Sequence, residues 1–212
     1  MSPLLIALLG IMLLPLFVGT WRTSLLGLSC QGLLLTWLAS RGLSPSGVAD
    51  EWVTMLDLFF VRGIGAPLAL YLLLSKQKAP ARNDVIPPNL VSWTLALGLV
   101  LVAFNFAERL EPMAGQAQTL LAVAGSGLLL GFLVLSTQGG PFSQVIGVLR
   151  IENAIVLFEL GGHSHHETLL VHTAQVIVLV ASIALYRWYL ATLNRPAPSG
   201  DAAAEPEELP SL

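Results

Sequence analysis

The chain has 212 residues, of which 55% are hydrophobic and only 11% are charged. Soluble domains carry about 25% charged residues, so this composition argues against a soluble enzyme, a nucleic-acid-binding protein and a disordered chain. The formal net charge of −3 does not indicate an acidic partner, because four of the 13 acidic residues lie in the last dozen positions: Asp201, Glu205, Glu207 and Glu208.

Seven apolar runs approach the roughly 20 mostly apolar residues that a helix needs to cross a bilayer. In chain order they cover residues 3–19, 23–40, 52–74, 90–106, 117–136, 142–160 and 169–190. The first run has no basic segment before it and no small-residue cleavage site before Trp21, so we interpret it as a retained helix in a tight hairpin. The predicted fold class is therefore all-α, a polytopic transmembrane bundle of about seven helices.

Proline and glycine residues punctuate the connections between these runs, for example Pro45, Pro112 and Pro141, because they end helices. We assign residues 1–195 to one transmembrane domain. The tail over 196–212 is rich in Pro, Ala and Glu and is predicted to be disordered and acidic.

The distribution of Lys and Arg residues predicts the orientation, since cytoplasmic loops carry the excess. With the N-terminus outside, one side holds only Arg41 and Arg109. The cytoplasmic side then holds six basic residues: Arg22, Lys76, Lys78, Arg82, Arg187 and Arg195. The sequence thus predicts an N-out, C-in topology in a cytoplasmic membrane.

Five charged residues fall inside the predicted spans and are the most informative feature of the sequence: Asp57, Arg62, Arg150, Glu152 and Glu159. A charge at the centre of a membrane helix costs about 2.5–3.5 kcal/mol on insertion scales. Such residues therefore face a bundle interior, a partner or water, and they mark candidate sites for ion movement.

Glu152 and Glu159 lie seven residues apart in the sixth run. At 100° per residue they fall within about 20° of one stripe, roughly 10 Å apart along the helix axis. Two carboxylates on one face could form successive stations for a proton or a sodium ion. The alternatives are that Glu159 is solvated at the membrane interface and that Glu152 forms a structural salt bridge.

Arg150 and Asn153 are three residues apart and share another face of the same helix. Arg150 is about eight residues into its run, so its side chain could extend to the cytoplasmic side or form a functional pair within the bundle.

Asp57 and Arg62 are five residues apart, which places them about 140° apart around an α-helix. We therefore expect them not to pair with each other and to need partners elsewhere. Gly63, Gly65 and Pro67 follow Arg62; glycines allow close backbone approach and proline disturbs the helical hydrogen bonds. A charge beside a weakened helix suggests a gate or a coupling element, and plain helix packing is the alternative.

Histidines offer weaker candidates. His163, His165 and His166 cluster on the predicted outer side, but nothing orients them as ligands, and we expect no metal site. His172 lies in the seventh run, three residues before Gln175 on the same face. It could belong to a proton path or donate a hydrogen bond between helices.

Cys30 is the single cysteine, so the chain alone has no disulfide and no Cys-ligated cluster. Its apolar neighbours predict a small buried side chain. The sequence contains no Walker loop, dinucleotide fingerprint or metalloprotease motif, so we expect no cofactor in this chain.

The stretch from Gln144 to Asn153, which contains Leu149-Arg150-Ile151-Glu152-Asn153, resembles the signature of component E of hydrogenase-4. That component is a membrane subunit of energy-converting hydrogenases. Three further stretches are similar to the family: Leu28-Ser29-Cys30-Gln31, Arg62 with Pro67, and Leu185-Tyr186-Arg187-Trp188. The resemblance covers most of the chain up to about Arg195, and its last three helices (about 117–190) are similar to the K subunit of respiratory complex I and the small subunit of Mrp-type antiporters.

The resemblance implies that Glu152 is the mid-membrane glutamate of this family and that Arg62 is the basic member of its hydrophilic axis. The chain departs from the family pattern at two positions. Ala174 stands where the family has an acid, and Arg62 replaces the more usual lysine. Because an arginine hardly deprotonates, Arg62 would act as a fixed charge and not as a relay.

The resulting hypothesis is a non-redox membrane subunit of a proton- or sodium-translocating complex. Its expected partners are antiporter-like subunits, the lipid bilayer, and a NiFe hydrogenase-like or other redox module. One alternative is a structural subunit whose charges only bridge to neighbours. Another is a free-standing small ion transporter, although the sequence shows no strong inverted repeat.

Overall fold

The computed structural model describes residues 2–17, 20–41, 49–76, 90–110, 115–137, 140–161 and 169–193. The elements in these ranges are all helical: α1 (Pro3–Phe17), α2 (Trp21–Ser40), α3 (Ala49–Leu56), a π-helical segment (Asp57–Gly65), α4 (Ala66–Lys76), α5 (Leu90–Glu108), α6 (Gln116–Thr137), α7 (Pro141–Gly161) and α8 (Leu169–Leu193). Since α3, the π-helical segment and α4 are continuous, we call them together the third span. Counting the third span as one helix, the described ranges form an all-α bundle of seven helices, as predicted.

Five helices in the described ranges are long and apolar enough to cross a membrane: Trp21–Ser40, Trp52–Ser75, Leu90–Glu108, Gln116–Thr137 and Pro141–Gly161. Pro3–Leu14 and Val176–Tyr189 are shorter apolar helices. Large apolar side chains are exposed on the outer faces, for example Leu101 on α5 by 70% and Trp188 on α8 by 65%. These faces suit lipid better than water, and together with the helix lengths they indicate a multi-pass membrane protein.

The first turn of α2 is capped by the residue that precedes it. Thr20 has an extended backbone, and its hydroxyl accepts a hydrogen bond from the Thr23 backbone N–H at 3.4 Å. The Thr23 hydroxyl donates back to the Thr20 carbonyl at 2.7 Å. A threonine in this position satisfies backbone donors that the first turn leaves without a partner, so α2 begins close to the predicted residue.

α2 occupies the centre of one half of the bundle, where it contacts α1, the third span and α7. α6 packs along both α5 and α7, and α8 lies against α4 and α7. This arrangement places the middle of α2, of the third span and of α7 side by side, and it is there that the charged residues lie.

Two apolar clusters fill the interior. The first draws on α1, α2, the π-helical segment, α5, α6 and α7, and the second on α2, α4, α7 and α8. Along α2 the side chains pass from the second cluster at Leu28 to the first at Leu35, and along α7 from Leu149 to Leu157. Gln31 of α2 and Arg150, Glu152 and Asn153 of α7 lie between these positions, so apolar packing borders them on both sides.

One sequence prediction is contradicted by the structure, and two others are not tested by it. Cys30, expected to be buried, is exposed, because it lies on the outward face of α2 with Leu26 and Leu33, which are 63% and 40% exposed. The predicted disordered tail over 196–212 lies outside the described residues. The N-out, C-in orientation stays a prediction.

Candidate functional site

Six polar side chains form one layer across the middle of the bundle, which we call the polar layer: Gln31, Asp57, Arg62, Arg150, Glu152 and Asn153. Gln31 follows the start of its span by ten residues, Arg62 follows Trp52 by ten, and Glu152 follows Pro141 by eleven. At 1.5 Å per residue each lies about 15 Å from the start of its apolar stretch, the middle of a hydrocarbon core about 30 Å thick.

Arg62 is the centre of the charged part of this layer. Its Nε donates to Asp57 Oδ2 at 3.0 Å, and its Nη1 donates to Asn153 Oδ1 at 3.3 Å. The same Nη1 lies 3.9 Å from Glu152 Oε2. Asp57 and Arg62 are buried within the chain, at 5% and 2% exposure. The guanidinium thus links the third span to α7 through a carboxylate, an amide and a second carboxylate.

The expectation that Asp57 and Arg62 do not pair with each other is wrong. It assumed the 100° step of an α-helix, but residues Asp57–Gly65 form a π-helix, in which the Ala66 N–H bonds to the Val61 carbonyl five residues earlier. The wider turn of a π-helix brings residue i+5 close to the face of residue i. The same two side chains that an α-helix would separate are therefore joined.

The proline that follows explains part of this local structure. Pro67 has no N–H, so it cannot donate to the carbonyl of Gly63 four residues earlier. Ser29 Oγ of α2 donates to that carbonyl at 2.6 Å. The carbonyl left without a helical donor by the proline is satisfied by a neighbouring helix, which is the usual way in which broken helices are tolerated in membranes.

Gly32 brings α2 against the π-helical segment. A Cβ added at Gly32 would lie 2.7 Å from both Cα and N of Gly63 and 2.9 Å from the carbonyl carbon of Arg62. Only a residue without a side chain permits this approach. α2 therefore holds the backbone that carries Arg62, through the Ser29 hydrogen bond and through direct backbone contact.

Glu152 is held less tightly than Asp57. Both of its carboxylate oxygens are buried, yet neither has a hydrogen-bond partner among the described residues, and its nearest cationic group is Arg62 at 3.9 Å. The side chain is 14% exposed. The contact with Arg62 is therefore an ion pair without a direct hydrogen bond, longer than the 3.0 Å pair between Arg62 and Asp57.

Arg150 does not extend to the cytoplasmic side. It is only 4% exposed, and its Nη1 donates to the backbone carbonyl of Met12 in α1 at 3.2 Å. α1 packs against α2 and α6, and the hydrogen bond to Met12 holds the guanidinium in the interior of the bundle. Asn153 shares this face, as its spacing predicts, and is 1% exposed.

The remaining predicted site residues lie away from the Arg62 contacts or outside the described part of the chain. Glu159 is partly buried two helical turns further along α7, at the distance predicted for a second station. The backbone of α8 passes through His172 and Gln175, whose side chains lie outside the described part. His163, His165 and His166 also lie outside it. In the described ranges no three His, Cys, Asp or Glu residues form a group that could hold a metal ion.

Sequence reasoning missed Ser29, Gln31 and Gly32 as parts of the site. These three residues form a polar and small stretch in the middle of an apolar helix, and that position is the signal that could have identified them. Comparison with protein-family models, curated proteins and solved structures finds no match.

Replacing Ser29 by alanine tests the contact between α2 and the third span. Hydrogen bonds between membrane helices contribute about 0.6 kcal/mol on average and at most about 1.7. We expect Ser29→Ala to lower the free energy of unfolding by about 1–1.7 kcal/mol, since the Gly63 carbonyl loses its donor. SDS-induced unfolding in mixed micelles measures this change.

Ser182→Ala is the matched control. Its hydroxyl donates to the Val178 carbonyl of its own helix at 2.8 Å, and that carbonyl keeps its helical donor. A Ser29→Ala loss no larger than that of Ser182→Ala would contradict the role given to the Ser29 hydrogen bond.

Proposed function

We propose that the chain is a non-redox membrane subunit of a multisubunit proton- or sodium-translocating complex of the hydrogenase-4 or complex I type. In this role it links a driving module to antiporter-like subunits. The observation that carries the proposal is the buried cluster of Asp57, Arg62 and Glu152 in the middle of the bundle. Ionisable groups at that depth are costly, and in membrane proteins they mark ion pathways and proton relays.

The contacts divide the cluster into a fixed part and a responsive part. Asp57 and Asn153 hold Arg62 by direct hydrogen bonds, and an arginine keeps its proton. Glu152 lies 3.9 Å from Arg62 and has no hydrogen bond to the described residues. A charge that moves nearby would therefore act on the protonation equilibrium of Glu152, with Arg62 as the fixed reference charge.

Burial bears on the alternative of a purely structural subunit. Charges that bridge to neighbouring subunits must reach the outer surface, whereas Asp57, Arg62 and Arg150 are each at most 5% exposed. Their partners lie within the chain, which supports an internal role. The other alternative, a free-standing small transporter, makes no use of partners and is separated by the experiment below.

The proposed partners are antiporter-like membrane subunits and a NiFe hydrogenase-like or other redox module. The proposed location is the cytoplasmic membrane of a bacterium or archaeon, and the chain itself is proposed to hold no cofactor. A tagged chain purified from its native membrane in mild detergent should bring these partners along, as identified by mass spectrometry. A chain that emerges alone and folded would contradict the subunit proposal.

Glu152→Gln in the assembled complex tests the role of the carboxylate. The amide keeps the size of the side chain but cannot exchange a proton at neutral pH. We expect ion translocation by complex-containing vesicles to fall about 100-fold or more, the scale typical of removing a proton-transfer group. Assembly, followed by the same pull-down, should be unchanged.

Glu108→Gln is the control, because Glu108 is an exposed carboxylate at the end of α5 and no part of the polar layer. Unchanged translocation in Glu152→Gln would contradict the proposal. If Glu152→Gln prevented assembly, and a variant that exchanges the charges of Arg62 and Glu152 assembled normally, the structural alternative would be favoured.

A further inference from the structure

The polar layer continues on the side of α7 that faces away from Glu152. Arg150 Nε and Nη2, Asn153 Nδ2, and both amide atoms of Gln31 are buried and have no hydrogen-bond partner among the described residues. Gln31 and Asn153 are each 1% exposed, and Arg150 is 4% exposed. Burying a polar atom that makes no hydrogen bond is costly. Arg150 and Asn153 each make one hydrogen bond and keep further donors without a partner, and neither amide atom of Gln31 has one, so the three side chains could share a ligand.

The positions of these side chains place them around one junction. Arg150 and Asn153 are three residues apart and share a face of α7. Arg150 Nη1 reaches the Met12 carbonyl of α1. Gln31 lies on the buried face of α2, between Leu28, which packs in one cluster with Leu149, and Leu35, which packs in the other with Leu157. Gln31 is thus level with Arg150 and Asn153 where α1, α2 and α7 meet.

Asn153 connects this junction to the charged cluster. Its Oδ1 accepts a hydrogen bond from Arg62, while Nδ2 of the same amide is one of the atoms without a partner. Whatever binds at the junction is therefore one side chain away from Arg62 and Glu152.

The hydrogen-bonding groups at the junction limit the kinds of ligand that could bind there. The groups include donors on Arg150, Asn153 and Gln31 and an acceptor, Gln31 Oε1. A ligand that both accepts and donates satisfies this set, and it must fit among side chains that are nearly fully buried. Water meets both conditions, since buried waters make two to four hydrogen bonds to otherwise unsatisfied polar groups.

We propose that Gln31, Arg150 and Asn153 form a buried water-binding site at the junction of α1, α2 and α7, in the middle of the membrane. The site extends the polar layer from the Glu152 side of α7 to α1. It goes beyond the proposed function and does not depend on it, because a hydrated junction is a property of the chain whatever its partners are.

Water contact is measured directly by NMR on the whole ¹⁵N-labelled chain in lipid nanodiscs. We expect exchange-filtered cross-peaks between water and both the Arg150 Nε–H and the Gln31 side-chain NH₂. The Arg62 Nε–H is the internal control, because it donates a hydrogen bond to Asp57 and the side chain is 2% exposed. Absence of water cross-peaks at both Arg150 and Gln31 in a well-resolved spectrum would overturn the proposal.

Gln31→Leu removes one wall of the site and keeps the volume of the side chain roughly constant. We expect loss of the Arg150 water cross-peak and a lower Tm. If Gln31 were an amide with no ligand, the apolar replacement would raise the Tm and leave the Arg150 cross-peak in place, which would overturn its role.

Two further measurements complete the test. Ser126→Ala is the control variant, because Ser126 is equally buried but its hydroxyl already donates to the Ala122 carbonyl of its own helix; the Arg150 cross-peak should persist. A chloride titration at constant ionic strength separates water from an anion. Displacement of the water cross-peak with a chloride-dependent shift of Arg150 Nε would show an anion site and contradict the proposal.

Discussion

Asp57→Ala is expected to be among the most destabilising single substitutions in the chain, lowering the free energy of unfolding by about 3–5 kcal/mol. The change removes the carboxylate that accepts from Arg62 Nε at 3.0 Å and leaves a guanidinium that is 2% exposed in an apolar surrounding. Asn153 and Glu152 stay near Nη1, but neither is placed to accept from Nε. SDS-induced unfolding in mixed micelles provides the measurement.

The double variant Asp57→Leu/Arg62→Met tests the physical reason. Replacing both members of a buried ion pair by apolar residues of similar size is often neutral or stabilising, since no charge is left without a partner. We expect it to recover most of the stability that Asp57→Ala loses, while ion translocation by the complex stays lost. An Asp57→Ala variant as stable as the wild type, or a double variant no more stable than the single one, would contradict the importance of the pair.

The helices could be predicted from the sequence because the bilayer dictates their length and composition. The third predicted span, residues 52–74, corresponds to the apolar helical stretch Trp52–Ser75, and the sixth, 142–160, lies within Pro141–Gly161. A helix that crosses lipid must make its backbone hydrogen bonds internally and carry apolar side chains. Its sequence pattern can therefore be recognised without knowing which helices pack beside it.

The π-helical register was beyond the reach of pattern arguments. Gly63, Gly65 and Pro67 correctly indicated a weakened helix, but they do not specify hydrogen bonds from i to i+5. That register accompanies contacts distant in sequence, above all the hydrogen bond from Ser29 to the Gly63 carbonyl, 34 residues away. A helical wheel with a uniform step therefore separated Asp57 from Arg62, although the structure pairs them.

The charged members of the site and Asn153 were predictable from the sequence, whereas Gln31 was not identified. Arg62 and Glu152 stand out because a charge is rare in a span. Gln31 carries no charge, so its position in the middle of an apolar helix was a weaker signal, and its near-complete burial and unpaired amide place it in the site. The direction of Arg150 was likewise open in the sequence, because extension to the interface and burial against α1 depend on where α1 packs.

Gly32→Ala is expected to separate α2 from the third span, because the added Cβ would meet backbone that cannot rotate away. It would lie 2.7 Å from Gly63 Cα and N, closer than non-bonded carbon atoms approach. We expect a loss of about 3 kcal/mol in the free energy of unfolding, the upper end for overpacking, since a helix must shift and not merely a rotamer. The same unfolding titration measures it.

Gly98→Ala is the matched control, since a Cβ added at Gly98 of α5 meets no atom within 4 Å. It should leave stability unchanged or raise it by up to about 1 kcal/mol through helix propensity. The double variant Ser29→Ala/Gly32→Ala then identifies the contact that is lost. Once Gly32→Ala has moved α2 away, the Ser29 hydrogen bond is already broken, so the two losses should be less than additive. Full additivity, or a Gly32→Ala variant as stable as Gly98→Ala, would mean that α2 does not hold the π-helical segment that joins Asp57 to Arg62.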